Sequence, residues 1–297
     1  MAIIQGTAAA DSLTGTAGTE LILARGGDDR VVGRAGDDVI LGGAGADTID
    51  GDNDGPDFGP LPATGPGGPQ PLDLHNLILA GGGDDPVRAG FGADTVLGGG
   101  GDDTLIGYGL FGGSPSATGL FIDADGPDLL LGGAGRDELR GGGGRDVLLG
   151  GHGDDTVVGG TGADTLSGGP GRDHFLFGRG LEPFAFDLGI DTGSGPGTRD
   201  LVLDFRQGRD VLDLSGLRNF LGGPDLPPPR FLGTDPFVAS NALQVRYDIE
   251  EGDTVVRFLA PLGTPEPGTP PAVPEGPGGE IELAGVHHLR ASDFILP

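Results

Sequence analysis

The sequence predicts an all-β protein, a right-handed parallel β-roll followed by a β-rich, sandwich-like capping module. Two observations carry this. A nine-residue glycine- and aspartate-rich unit recurs in phase through residues 6–176, and one position in every unit holds an apolar side chain. Beyond residue 176 the period is replaced by short alternating strand-like segments between Pro/Gly-rich stretches.

The repeat reads G-G-x-G-x-D-x-U-x, where U is a large apolar residue. Full copies begin at Gly42, Gly98, Gly132, Gly141, Gly150, Gly159 and Gly168. Degenerate copies begin at Gly6, Gly15, Ala24, Gly33, Pro71, Ala80, Ala89 and Asp123. The fifteen units form three runs, 6–50, 71–106 and 123–176, separated by insertions at 51–70 and 107–122. Glycines at positions 1, 2 and 4 permit backbone angles closed to a residue with a Cβ, so the chain turns tightly and aims its carbonyls together. Positions 7 to 9 form a short strand whose middle side chain points inward. Two units close a coil of eighteen residues, and coils stack as parallel strands about 4.8 Å apart.

Position 6 supplies a carboxylate beside the turn carbonyls. Thirteen of the fifteen units have Asp there; the exceptions are Glu20 and Asn76. Because unit n lies beneath unit n+2, oxygens of successive turns face each other. A flexible, multidentate, all-oxygen site suits calcium better than zinc, copper or magnesium. The expected metal ligands are Asp29, Asp38, Asp47, Asp85, Asp94, Asp103, Asp128, Asp137, Asp146, Asp155, Asp164 and Asp173. They are joined by the turn glycines Gly43, Gly45, Gly99, Gly101, Gly133, Gly135, Gly142, Gly144, Gly151, Gly153, Gly160, Gly162, Gly169 and Gly171. Sites at Glu20, at Asn76 and at the first unit, where Ala9 replaces a glycine, should be weak or empty. Asp28, Asp37, Asp84, Asp102 and Asp154 fall at position 5 and read as solvated charge. About nine calcium ions fit if stacking breaks at the insertions, and about thirteen if it does not, with the strongest sites in the uninterrupted run 132–176.

Charge fits this reading. The 297 residues carry 45 acidic and 17 basic groups, a formal charge of −28. Such a polyanion repels nucleic acid and anionic lipid and attracts cations. With 36% hydrophobic residues and no Trp the core is thin, so calcium must neutralise the aspartates before the chain folds. There is no Cys, no N-terminal stretch resembling a signal peptide, and no apolar run long enough to span a bilayer.

The nonapeptides of residues 6–176 resemble those of the RTX (repeats-in-toxin) family. Asp200-Leu-Val-Leu-Asp-Phe-Arg-Gln-Gly-Arg-Asp-Val-Leu-Asp-Leu-Ser215 is similar to the segment that follows the roll in serralysin-type secreted proteins. The end, Ala291-Ser-Asp-Phe-Ile-Leu-Pro297, resembles the tail of type I secretion substrates. The resemblance implies a secreted, extracellular protein that leaves the cytosol through a type I apparatus engaging its C-terminus and folds on calcium outside. It also implies a division into a roll, 1–176, and a capping and secretion module, 177–297, with further strands expected at 243–249, 254–259 and 281–286.

Catalytic signatures are missing. The five His (75, 152, 174, 287 and 288) do not form an H-E-x-x-H motif, and no nucleophile elbow or phosphate-binding Gly-Lys loop occurs. The expected function is a non-catalytic structural or matrix-associated module. The alternative is a hydrolase or polysaccharide-modifying enzyme, or its accessory module, with a site in the insertions or C-terminal region.

Overall fold

The computed structural model describes residues 1–52, 75–108, 126–177, 197–218, 228–238, 242–259 and 279–296. Two long sheets face each other. In spatial order, the first sheet contains strands Ala2–Gln5, Glu20–Gly26, Val39–Ala44, Leu77–Gly82, Thr95–Gly100, Leu129–Ala134, Val147–His152, Thr165–Ser167 and Asp200–Val202. The second contains Ser12–Thr14, Arg30–Val32, Thr48–Asp50, Pro86–Gly90, Thr104–Tyr108, Glu138–Gly144, Thr156–Gly162, His174–Leu176, Val211–Asp213 and Phe294–Ile295. The chain alternates between the sheets, and every neighbour in these two lists pairs in parallel. This is the β-roll that the nine-residue period predicts.

The register follows from the apolar position of the repeat. Ile22 lies opposite Ile40, Ile40 opposite Ile78 and Leu130 opposite Leu148. From Ile22 to Phe175, each position-8 side chain is at most 2% exposed. The first, Leu13, is only partly buried, at the open N-terminal end. A core one side chain deep per strand buries little apolar area, so much of the holding power must lie in the turns at the two edges.

The insertions do not break the roll. Val39–Ala44 pairs directly with Leu77–Gly82, and Leu77 N donates to Asp38 O at 2.8 Å across the first insertion. Thr95–Gly100 pairs with Leu129–Ala134, and Leu129 N donates to Asp94 O at 2.9 Å across the second. The inserted residues 53–70 and 109–122 lie outside the described residues. Both depart from turns that lead from the second sheet back to the first, so the opposite edge runs without interruption.

The sheets also continue past residue 176. Asp200–Val202 joins the first sheet and Val211–Asp213 the second, so residues 200–215 form a further coil. Beyond this coil the first sheet turns mixed. Gly279–Leu283 pairs with Asp200–Val202 in parallel and with Asp253–Leu259 antiparallel, and Gln244–Glu250 and Arg230–Phe231 complete the sheet. The expected strands at 243–249, 254–259 and 281–286 are therefore present with shifted ends. Phe205, Val245, Phe258, Ile281, Leu289 and Phe294 share one continuous core with the roll. Arg199 pairs with Glu280 at 3.3 Å, stitching the last coil to the mixed strands, within which Arg257 also pairs with Glu280 at 2.8 Å.

Candidate metal centre

Each edge of the roll is a stack of turns, and position 6 of every turn builds a ladder up it. On the edge leading from the first sheet to the second the rungs are Asp11, Asp29, Asp47, Asp85, Asp103, Asp137, Asp155, Asp173 and Asp210. Each backbone N–H in that series donates to Oδ1 of the next rung, at 2.6 to 3.1 Å. The opposite edge carries Glu20, Asp38, Asn76, Asp94, Asp128, Asp146, Asp164 and Asp200, linked the same way at 2.7 to 2.9 Å. The hydrogen bonds hold every rung in one orientation, and the rung aspartates from Asp29 to Asp173 are at most 2% exposed.

One carboxylate oxygen is thus used, and the other points into the gap between turns. Oδ2 of Asp29, Asp38, Asp47, Asp85, Asp94, Asp103, Asp137, Asp155 and Asp164 is buried and accepts no hydrogen bond. Isolated ionised oxygens of this kind are costly unless a proton or cation meets them. Burial accordingly pushes the carboxyls of Asp38, Asp85, Asp155 and Asp164 up to about 6, and those of Asp94 and Asp103 up to about 7.

Backbone carbonyls surround these oxygens. Gly43 has φ +117°, and a Cβ there would overlap the Arg25 carbonyl of the turn below. A Cβ at Gly42 would fall on both Asp47 Oδ2 and the Ala80 carbonyl of the turn above, so these two oxygens approach one point. Of the expected turn glycines, all but Gly171 have φ between +87° and +149°. Among the described residues no three His, Asp or Glu side chains converge, so any cation held here draws on carbonyls as well as carboxylates.

The weak positions of the repeat are closed by the chain's own donors. Asp11 Oδ2 accepts from Thr7 N at 2.6 Å and Thr7 Oγ1 at 2.9 Å. Glu20 accepts from Thr16 N at 2.9 Å and Thr16 Oγ1 at 2.6 Å. Asn76 Nδ2 donates to Ala89 O at 3.2 Å. The position-5 aspartates are more than solvated charge: Asp28, Asp37, Asp84, Asp102 and Asp154 each accept a backbone N–H from the coil above, at 2.8 to 3.2 Å, on the exposed rim.

The sequence of residues 3–31, 23–55, 76–109, 123–157 and 150–180 matches the family described as the RTX calcium-binding nonapeptide repeat. These segments are RTX calcium-binding repeats. The RTX repeat family binds Ca2+, and the oxygen-only turns of this roll fit that ion. Among solved structures, the chain is similar to the R2 subunit of the mannuronan C5-epimerase AlgE6 of Azotobacter vinelandii. The identity is 30% over 58% of this chain and 88% of that one, with a TM-score of 0.36. The R3 subunit of the same epimerase is 27% identical over 57% and 73%, with a TM-score of 0.20. No curated protein sequence matches the chain.

Two ladder members, Asp200 and Asp210, and the buried Asp52 beside the ladder were not among the expected ligands. The first two head the patterns Asp200-Leu-Val and Asp210-Val-Leu, which repeat the D-x-U core of the unit without its glycine pair. Asp52 sits where a turn glycine would, fully buried, with Oδ2 accepting from Phe91 N at 3.1 Å. Burial, and then the neighbouring Asp94, push its carboxyl up to about 8. Only the fold brings it beside Asn76, so no sequence signal marks it.

Proposed function

We propose that this protein is a secreted, non-catalytic structural module that folds when calcium fills the gaps between its turns. The supporting observation is the double ladder of buried Oδ2 atoms, each facing carbonyls of a stacked turn and lacking a hydrogen-bond donor in most rungs. The ligands are the twelve aspartates Asp29 to Asp173 of the repeat, with carbonyls of the turn glycines. Asp173 contributes chiefly through its Oδ1, because its Oδ2 accepts from Arg206 Nη2. With Thr7, Thr16 and Asn76 closing their own gaps and Arg206 lying in the last gap of the first edge, six gaps on that edge and five on the other remain, for eleven ions. Their charge of +22 would offset most of the formal −28.

Each gap with an affinity typical of extracellular calcium modules adds about 1.4 kcal/mol at ten times its dissociation constant. Summed over about ten gaps, this comes to about 14 kcal/mol, the upper end of the stability of an ordinary domain. The mixed strands Gln244–Glu250, Asp253–Leu259 and Gly279–Leu283 cap the last coil, and the C-terminal strand Phe294–Ile295 belongs to the segment a type I exporter would engage. Among the described residues no helix is long and apolar enough to cross a membrane.

The test is far-UV circular dichroism through a calcium titration, followed by excess chelator. The β spectrum should grow cooperatively with calcium and vanish on chelation. A chain that keeps its β spectrum in excess chelator at neutral pH refutes the reading.

A further inference from the structure

The last gap of the uninterrupted edge lies between turn 168–173 and turn 205–210, and it holds a side chain. Arg206 Nη2 donates to the Gly169 carbonyl, to Gly171 O at 3.0 Å and to Asp173 Oδ2 at 3.0 Å. These are the position-2 carbonyl, the position-4 carbonyl and the position-6 carboxylate of one turn, the oxygen set that faces each gap lower on the ladder. On its other side, Arg206 Nε lies 3.4 Å from Asp210 Oδ2, which also accepts from Arg206 N at 2.6 Å. The guanidinium therefore sits between the carboxylates of two successive rungs.

Its origin in the sequence is plain once the coil is seen. Phe205-Arg-Gln-Gly-Arg-Asp-Val-Leu-Asp213 is a degenerate repeat unit with Gly208 at position 4, Asp210 at position 6 and Leu212 at position 8. Arg206 occupies position 2, where the full repeat has glycine. The turn is anchored from the other side by Asp204, whose carboxylate accepts from Gly168 N at 3.0 Å, Gly169 N at 2.7 Å and Ser167 Oγ at 2.8 Å. Asp204 thus binds the N–H groups of turn 168–173, and Arg206 binds its oxygens.

We infer that Arg206 is a built-in cation that fills the last gap of this ladder in place of calcium. A guanidinium is always charged and offers several donors in a fixed fork, so it can meet carbonyls and two carboxylates together. In the folded chain it neutralises Asp173 without an ion in that gap and ends the ion ladder before the mixed strands begin. This rests on the calcium reading of the lower gaps.

The experiment compares full-length wild type, Arg206→Lys and Arg206→Met by native mass spectrometry in saturating calcium, with circular dichroism on the same samples. Wild type and Arg206→Lys should carry the same number of ions, and Arg206→Met one more, because its vacated oxygens match those of the other gaps. An equal count in wild type and Arg206→Met, both folded, overturns the inference. In parallel, the guanidinium protons of Arg206 in wild type are followed by NMR as calcium is added. They should remain protected from solvent exchange at saturation; loss of that protection means calcium displaces the side chain and overturns the inference even if Arg206→Met does not fold. Failure of wild type itself to bind calcium would instead strike the proposed function, so the two outcomes are separable.

Discussion

Replacing Asp155 with Asn should reverse in sign as calcium is raised. Asp155 Oδ1 accepts from Asp137 N at 2.9 Å, and Oδ2 is buried with no donor. The amide keeps the first acceptor and puts an NH2 group where Oδ2 was. Asn76 shows what that group does in such a gap: it donates to the facing carbonyl, at 3.2 Å. Without calcium the substitution therefore gains about 1 kcal/mol, the net worth of one hydrogen bond. With calcium it forfeits the ion, worth about 1.4 kcal/mol at ten times the dissociation constant and about 2.7 kcal/mol at a hundred times. The two effects cancel when calcium is roughly four to five times the dissociation constant. At a hundred times, the variant is less stable by about 1.7 kcal/mol, or about 3 °C in Tm for a chain of this size. The assay is Tm against the logarithm of calcium concentration. The two curves should cross, and the variant should bind one ion fewer. Asp154→Asn is the control, since its Oδ1 accepts from Arg172 N at the exposed rim and the amide preserves that contact. Parallel curves for Asp155→Asn, or equal shifts in the two variants, would refute the reasoning.

Two further outcomes are expected. Gly151 has φ +108° and no room beside the Gly133 carbonyl, so Gly151→Ala should cost well over about 2 kcal/mol in calcium, from backbone strain and clash together. Gly197, with φ +77° and open space around it, is the comparison; Gly197→Ala should cost only about 1 kcal/mol by urea denaturation, and equal losses would contradict the packing described. The ladder should also titrate. Buried carboxyls near 6 and 7 in the calcium-free folded chain, against 3.8 for an ordinary Asp, bind protons more tightly than the unfolded chain does. The calcium-free fold is therefore fully favoured by protons below about pH 4, and that stabilisation fades as pH rises through 6 to 7. Calcium competes for the same oxygens, so its titration midpoint should move to higher concentration between pH 8 and pH 5.5. A midpoint unchanged across that range would show that these carboxylates are not the ligands.

The nine-residue period makes the roll legible in advance, because period and strand geometry are one constraint. A single apolar residue every nine positions, flanked by turn glycines, leaves room only for short strands alternating between two sheets. Ile40, Leu148 and their equivalents are buried as the pattern requires. The aspartates at position 6 are legible too, since each turn repeats the last.

What the sequence does not disclose is how separated units meet. Insertions of unknown shape leave two possibilities open, a broken stack or a continuous one, and only the pairing of Val39–Ala44 with Leu77–Gly82 decides between them. Residues 200–215 look like strands about a turn, yet their two strands enter different sheets because Asp200 and Asp210 continue the two ladders.

The sequence by itself therefore determined the period, the inward-facing residue and the oxygen-rich chemistry of the turns, since these depend on spacing within one unit. The tertiary structure alone decided which turns stack, that Arg206 reaches the oxygens of turn 168–173, and that Asp52 lies beside Asn76. Those contacts join residues one or more coils apart, and their partners are chosen by stacking rather than by local sequence.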